Sequence, residues 1–92
     1  MSNYIALTSN PNPHPVLVLD ASASFSDLQE SAQQRLSAAK GLLLSLACMS
    51  ITHASTNDLN NVADAAYLLL EDASDLFKAA GTAAVRREVP HG

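Results

Sequence analysis

Apolar residues recur at three- and four-residue intervals over two stretches of the chain, 25–51 and 57–80, with a polar connector of five residues between them. That period predicts two amphipathic helices, each with one face turned to a core. The first opens on Ser24-Phe-Ser-Asp27, where the Ser24 hydroxyl caps the amide three residues on and Asp27 reaches back to the Ser24 N–H. With Leu28 as reference at about 100° per residue, Phe25, Ala32, Leu36, Ala39, Leu43 and Leu46 form its apolar stripe. Gln29, Glu30, Gln33, Gln34, Ser37 and Lys40 lie opposite. From Gly41 onward the separation fails, because Leu44, Cys48 and Ile51 fall on the polar side, so 41–51 must be covered on more than one side.

A second capping box, Ser55-Thr-Asn-Asp58, opens the second helix. Its stripe is Leu59, Val62, Ala63, Ala66, Leu69, Leu70, Ala73, Leu76, Phe77 and Ala80, and Gly81 is placed as its C-terminal stop. Asp64, Glu71, Asp72 and Asp75 share the other face, interrupted by Leu68. The short connector makes the helices antiparallel neighbours. Residues 1–23 precede them as an arm: prolines at 11, 13 and 15 exclude a helix, and the Val-Leu-Val-Leu run 16–19 is a short strand candidate. A strand needs a partner, and a second subunit or the segment 4–8 can supply one. Residues 82–92 read as a solvated tail. The expected fold is thus all-α, an antiparallel two-helix hairpin (24–81) with an extended N-terminal arm (1–23).

Size turns this hairpin into a question of association. A chain of 92 residues buries a small fraction of its surface, and its single cysteine allows no internal disulfide. Dimerisation into a four-helix bundle is the ordinary remedy, with Leu44, Cys48, Ile51 and Leu68 as the expected contact. Hydrophobic residues at 48% against 15% charged mark a folded domain, and a net charge of −4 with 4% aromatics argues against a nucleic-acid surface. The densest apolar run, 41–51, is about half of a membrane span, and the first residues lack a basic signal-peptide region. A cytoplasmic protein is expected, with neither membrane nor nucleic acid as partner.

No residue pattern predicts catalysis. His53, at the end of the first helix, suits a capping role for its carbonyls, while the alternative of a phosphoacceptor histidine asks for a mid-helix position. His14 between prolines and His91 in the tail read as solvated. Cys48 has no cation among its sequence neighbours to lower its thiol pKa and reads as a small buried residue. Three scattered histidines and one cysteine make no zinc-like set, and the acidic residues match neither an EF-hand loop nor a di-iron motif. Neither a phosphate loop nor HExxH occurs, so no cofactor, metal or catalytic residue is expected.

The order of a Val/Leu strand, a polar turn and two capped Ala/Leu helices, in "LVLDASASFSDLQESAQQRLSAAKGLL" followed by "YLLLEDASDLFKAA", resembles a group of short bacterial helical-hairpin proteins of unknown function over residues 16–80. The resemblance implies a helical hairpin and supplies no activity. The functional expectation is a non-enzymatic interaction or regulatory protein, acting on a protein partner through a homodimeric helical surface. Its alternative is a small acidic inhibitor or antitoxin-like protein, phage-encoded, whose face of Asp64, Glu71, Asp72 and Asp75 blocks a basic site.

Overall fold

The computed structural model of the chain describes residues 3–48 and 56–88. Two helices, α1 (Phe25–Cys48) and α2 (Thr56–Glu88), pack together as a helical hairpin. Strands β1 (Tyr4–Ala6) and β2 (Val18–Asp20) form a small antiparallel sheet against one end of it. The Cα extents are 63 × 29 × 12 Å. At 12 Å the short dimension leaves room for essentially one layer of helices.

The seam between the helices follows a 3-4 alternation. Leu28, Ala32, Arg35, Ala39, Leu42 and Leu46 on α1, and Leu59, Val62, Ala66, Leu69, Ala73, Leu76, Ala80 and Ala83 on α2, are all buried or half-buried. An average period of about 3.5 residues keeps one stripe facing the partner helix, as in coiled-coil packing. Alanine fills the tightest positions: of the ten buried apolar residues described, seven are alanine, and Leu19, Leu28 and Leu76 are the others. Such small side chains let two helices approach closely and bury little area per residue.

The arm is folded rather than extended. Tyr4 lies opposite Asp20, Ile5 opposite Leu19 and Ala6 opposite Val18, and the Leu7 N–H donates to the Leu17 carbonyl at 3.1 Å. The strand expected at 16–19 is therefore 18–20, and its partner is β1 of the same chain rather than a second subunit. Alternation along β2 turns Leu19 into the core and leaves Val18 and Asp20 outside. Asn10 stitches the proline loop between the strands. Its amide nitrogen donates to the carbonyls of Leu7 (2.7 Å) and Leu17 (2.8 Å), and its Oδ1 accepts from the N–H groups of Val16 (3.1 Å) and Leu17 (2.9 Å).

A short turn joins the sheet to α1. Asp20 Oδ1 accepts from the Ser22 N–H (2.9 Å) and the Ser22 hydroxyl (2.5 Å), and the Ala23 N–H donates to the Asp20 carbonyl. The expected cap follows at once: Ser24 Oγ accepts from the Asp27 N–H at 3.1 Å. Ser55, proposed to cap α2, lies outside the described residues.

Three expectations are corrected. Gly81 does not end α2, which continues to Glu88, so 82–88 are helix and not tail; no glycine described has positive φ. The cost of about 1 kcal/mol for a mid-helix glycine is offset by burial of Ala83 in the core beneath the arm. The inward stripe expected on α1 includes Leu36 and Leu43, and that on α2 includes Ala63, Leu70 and Phe77; all five are exposed, and Arg35 and Leu42 take the inward positions on α1. Cys48, expected to be buried, is exposed.

Candidate interaction surface

The arm divides the hairpin into two unlike halves. At the end that it covers, Leu19 of β2 joins Leu28, Ala32, Leu76, Ala79, Ala80 and Ala83 in a buried cluster, flanked by Leu7, Ala21, Ala23 and Phe25. Hydrogen bonds fix the arm there. Thr8 binds the Asp75 carboxylate through both its N–H (2.7 Å, to Oδ2) and its hydroxyl (2.9 Å, to Oδ1), and the Ser9 hydroxyl donates to Asp72 Oδ1 at 2.7 Å. Two of the four acidic residues considered as a partner-binding face thus hold the chain's own arm. Asp64 is exposed and Glu71 is half-buried.

Toward the connector, the large apolar side chains outside the seam face solvent. Leu36, Leu43 and Leu44 on α1, and Tyr67, Leu68 and Leu70 on α2, are all exposed, with Leu44 at 65%. Leu44, Cys48 and Leu68, considered as a dimer contact, are therefore open in the single chain, and Ile51 lies outside the described residues.

The exposed leucines of α1 and α2, with the exposed Phe77, fall into two sets once placed around the helices. At about 100° per residue from the seam, Leu36, Leu43, Leu70 and Phe77 lie roughly 40–80° to one side, and each pair repeats at seven residues. Two antiparallel helices that share a rotational sense turn those positions toward the same side of the layer. The arm lies on the opposite side, where its partner Asp72 and the buried Ala79 project, and it reaches Asp75 at the outer edge of α2. Leu44 and Leu68, roughly 140–160° from the seam, sit at the outer edges.

A cleft of about 260 Å³ opens beneath the sheet, between α1 and α2. Leu19, Leu28 and Leu76 form its floor, and Arg35, Asp20, Asp27 and Asp72 stand around it. Arg35 is half-buried and donates from Nη1 to the Ser31 carbonyl at 3.4 Å. The Asp20 carboxyl is held below its ordinary pKa, chiefly by the Ser22 hydroxyl, then by the Ser22 N–H and the Arg86 charge. The lining contains no histidine, cysteine or lysine. It therefore supplies neither a nucleophile–base pair nor a nitrogen or sulfur ligand set.

Among the described residues, no three His, Cys, Asp or Glu side chains gather in a way that would hold a metal ion, and no helix is long and apolar enough to cross a membrane. His14 is exposed on the proline loop, and His53 and His91 lie outside the described residues. The sequence reading missed the contribution of Thr8, Ser9 and Asn10. The Asn10-Pro11 step does signal a turn, but nothing local shows which helix the turn will meet.

Compared with protein-family models, characterised proteins and solved structures, the chain shows no significant match.

Proposed function

We propose that this chain is a non-enzymatic interaction protein that works as a homodimer, its two hairpins combining into a four-helix bundle whose surface engages a protein partner. One observation carries the reading: a layer 12 Å thick buries mainly alanine while leucines on both helices stay exposed. Scattered exposed leucines are ordinary, but leucines repeating at seven residues beside a filled seam form a second contact stripe. The acidic-inhibitor alternative draws less support, because Asp72 and Asp75 already accept bonds from Ser9 and Thr8.

Sedimentation equilibrium across the micromolar range tests the assembly. The expected species has twice the 9.7 kDa chain mass. A monomer that keeps full helicity at every concentration would refute the homodimer. Affinity capture of the intact dimer from a cell extract, followed by reconstitution with the purified candidate, tests the partner.

A further inference from the structure

We infer that a second copy of this chain docks on the side of the helical layer opposite the arm, through Leu36, Leu43, Leu70 and Phe77. The inference rests on the homodimer reading above and adds the face. It also moves the contact away from Leu44 and Leu68 at the edges of the layer.

Four observations select this face and a like partner. First, the residues repeat in heptads beside the seam, at 36 and 43 on α1 and at 70 and 77 on α2, and all four are exposed. A helix that packs against neighbours on two sides carries such an extra stripe. Second, the other side of the layer is taken at the arm end. Thr8 and Ser9 anchor the arm on Asp75 and Asp72, and Leu19 fills the space beneath it.

Third, the charges are sorted. Where the helices run side by side, Lys40 is, among the described residues, the one charged residue that the helical repeat places toward this face. Asp27, Asp58 and Asp72 turn to the arm side, and Glu30, Asp64, Glu71 and Asp75 to the edges. Two copies of a chain with net charge −4 can meet there without bringing carboxylates together. Fourth, the area suffices. Two helices about 10 Å wide over the ~36 Å length of α1 present on the order of 700 Å² per copy. Roughly 1,400 Å² in total lies within the range of stable specific interfaces, about 1,200–2,000 Å².

The test compares two double variants of the full chain by sedimentation equilibrium and circular dichroism. Leu36→Glu with Leu70→Glu places four carboxylates in the proposed contact and should weaken dimerisation by about 100-fold or more, with helicity kept in the resulting monomer. Leu44→Glu with Leu68→Glu should leave the dimer within about threefold of the parent, as edge substitutions do. A dimer lost only in the second variant would overturn the proposed face while leaving the homodimer reading intact. A monomeric parent would overturn both. Should the first variant fail to fold, isotope-filtered NMR on a mixed-label sample of the parent decides the matter. Contacts between the Leu36, Leu43 and Leu70 methyls and the Phe77 ring of the other copy are expected, and contacts from Leu44 and Leu68 in their place would refute the face.

Discussion

Leu28 and Leu76, beneath the arm, and Leu36, Leu43 and Leu70, toward the connector, belong to the same two helices and meet different fates. The first pair is buried with Leu19 of β2, whereas the other three are exposed. Leu36, Leu43 and Leu70 stand beside the helix–helix seam rather than in it, but the seam leucines of the same region, Leu42, Leu46, Leu59 and Leu69, are only half-buried, so the seam alone does not enclose leucine. What adds to the seam is a third element: a small sheet lies over one end of the layer, and among the described residues nothing lies over the other. Two helices present too little surface to each other to enclose leucine, and their seam closes mainly on alanine. Burial of large side chains begins where a third element is added. The arm supplies it at one end, and a second chain supplies it at the other in the proposed dimer.

The largest expected effects fall beneath the arm. Leu28→Ala and Leu76→Ala should each cost about 2–5 kcal/mol, the range for large-to-small changes at packed sites, in urea melts of dilute protein. Leu36→Ala and Leu43→Ala should lie within about 0.5 kcal/mol of the parent under the same dilute conditions. Equal costs at the two sets would break the comparison, since it assigns the large buried residues to one end.

The next effects concern what holds the arm down. Asp75→Ala removes two hydrogen bonds from Thr8 and should cost about 1–2 kcal/mol, with the Thr8 amide losing protection from hydrogen exchange. Asn10→Ala strips the proline loop of four side-chain bonds, largely at exposed positions, and a similar loss of about 1–2 kcal/mol is expected. A neutral outcome at both positions would mean that apolar contact alone seats the arm.

Part of this architecture is legible in the sequence, and the division has a physical cause. Ser24 and Asp27 mark the start of α1 because capping is local, and the structure places that helix at Phe25. The two helices follow from their apolar periods. The phase of α1 does not, because its sequence carries two apolar stripes, one at 28-32-39-46 and one at 36-43. Periodicity records their union, and only the position of the neighbouring helix shows that Arg35 and Leu42 border the seam while Leu36 and Leu43 do not. The docking of Thr8 and Ser9 on Asp75 and Asp72 joins residues 67 and 63 positions apart, beyond any local signal. Gly81 looks like a stop because the sequence does not reveal that Ala83 will be buried under the sheet.

Smaller effects test the continuation of α2 beneath the arm. An added Cβ at Gly81 or Gly41 meets nothing within 4 Å, and both glycines are helical. Gly81→Ala and Gly41→Ala should each stabilise by about 0.5–1 kcal/mol, read as a shift of the urea midpoint. Destabilisation by Gly81→Ala would argue against a continuous helix.

The smallest effect is electrostatic and lies in the turn beneath β2. The Ser22 hydroxyl and N–H and the Arg86 charge hold the Asp20 carboxyl below its ordinary value of 3.8. A depressed folded-state pKa contributes stability that is present above the ordinary value and is lost as pH falls through the folded one. Asp20→Asn should therefore flatten the acid limb of the stability profile below about pH 4, leaving the region near neutrality free of any pH dependence from this residue. An unchanged acid limb would show that the turn does not favour the carboxylate.

The central claim is that the end bare in the single chain is covered by another copy. Native-state hydrogen exchange on the unmodified protein, at low and high micromolar concentration, tests it most directly. Protection over residues 36–47 and 59–70 should rise with concentration, while that over 28–32 and 79–83, whose cover belongs to the same chain, should change far less. Protection that is independent of concentration at both ends would contradict the account.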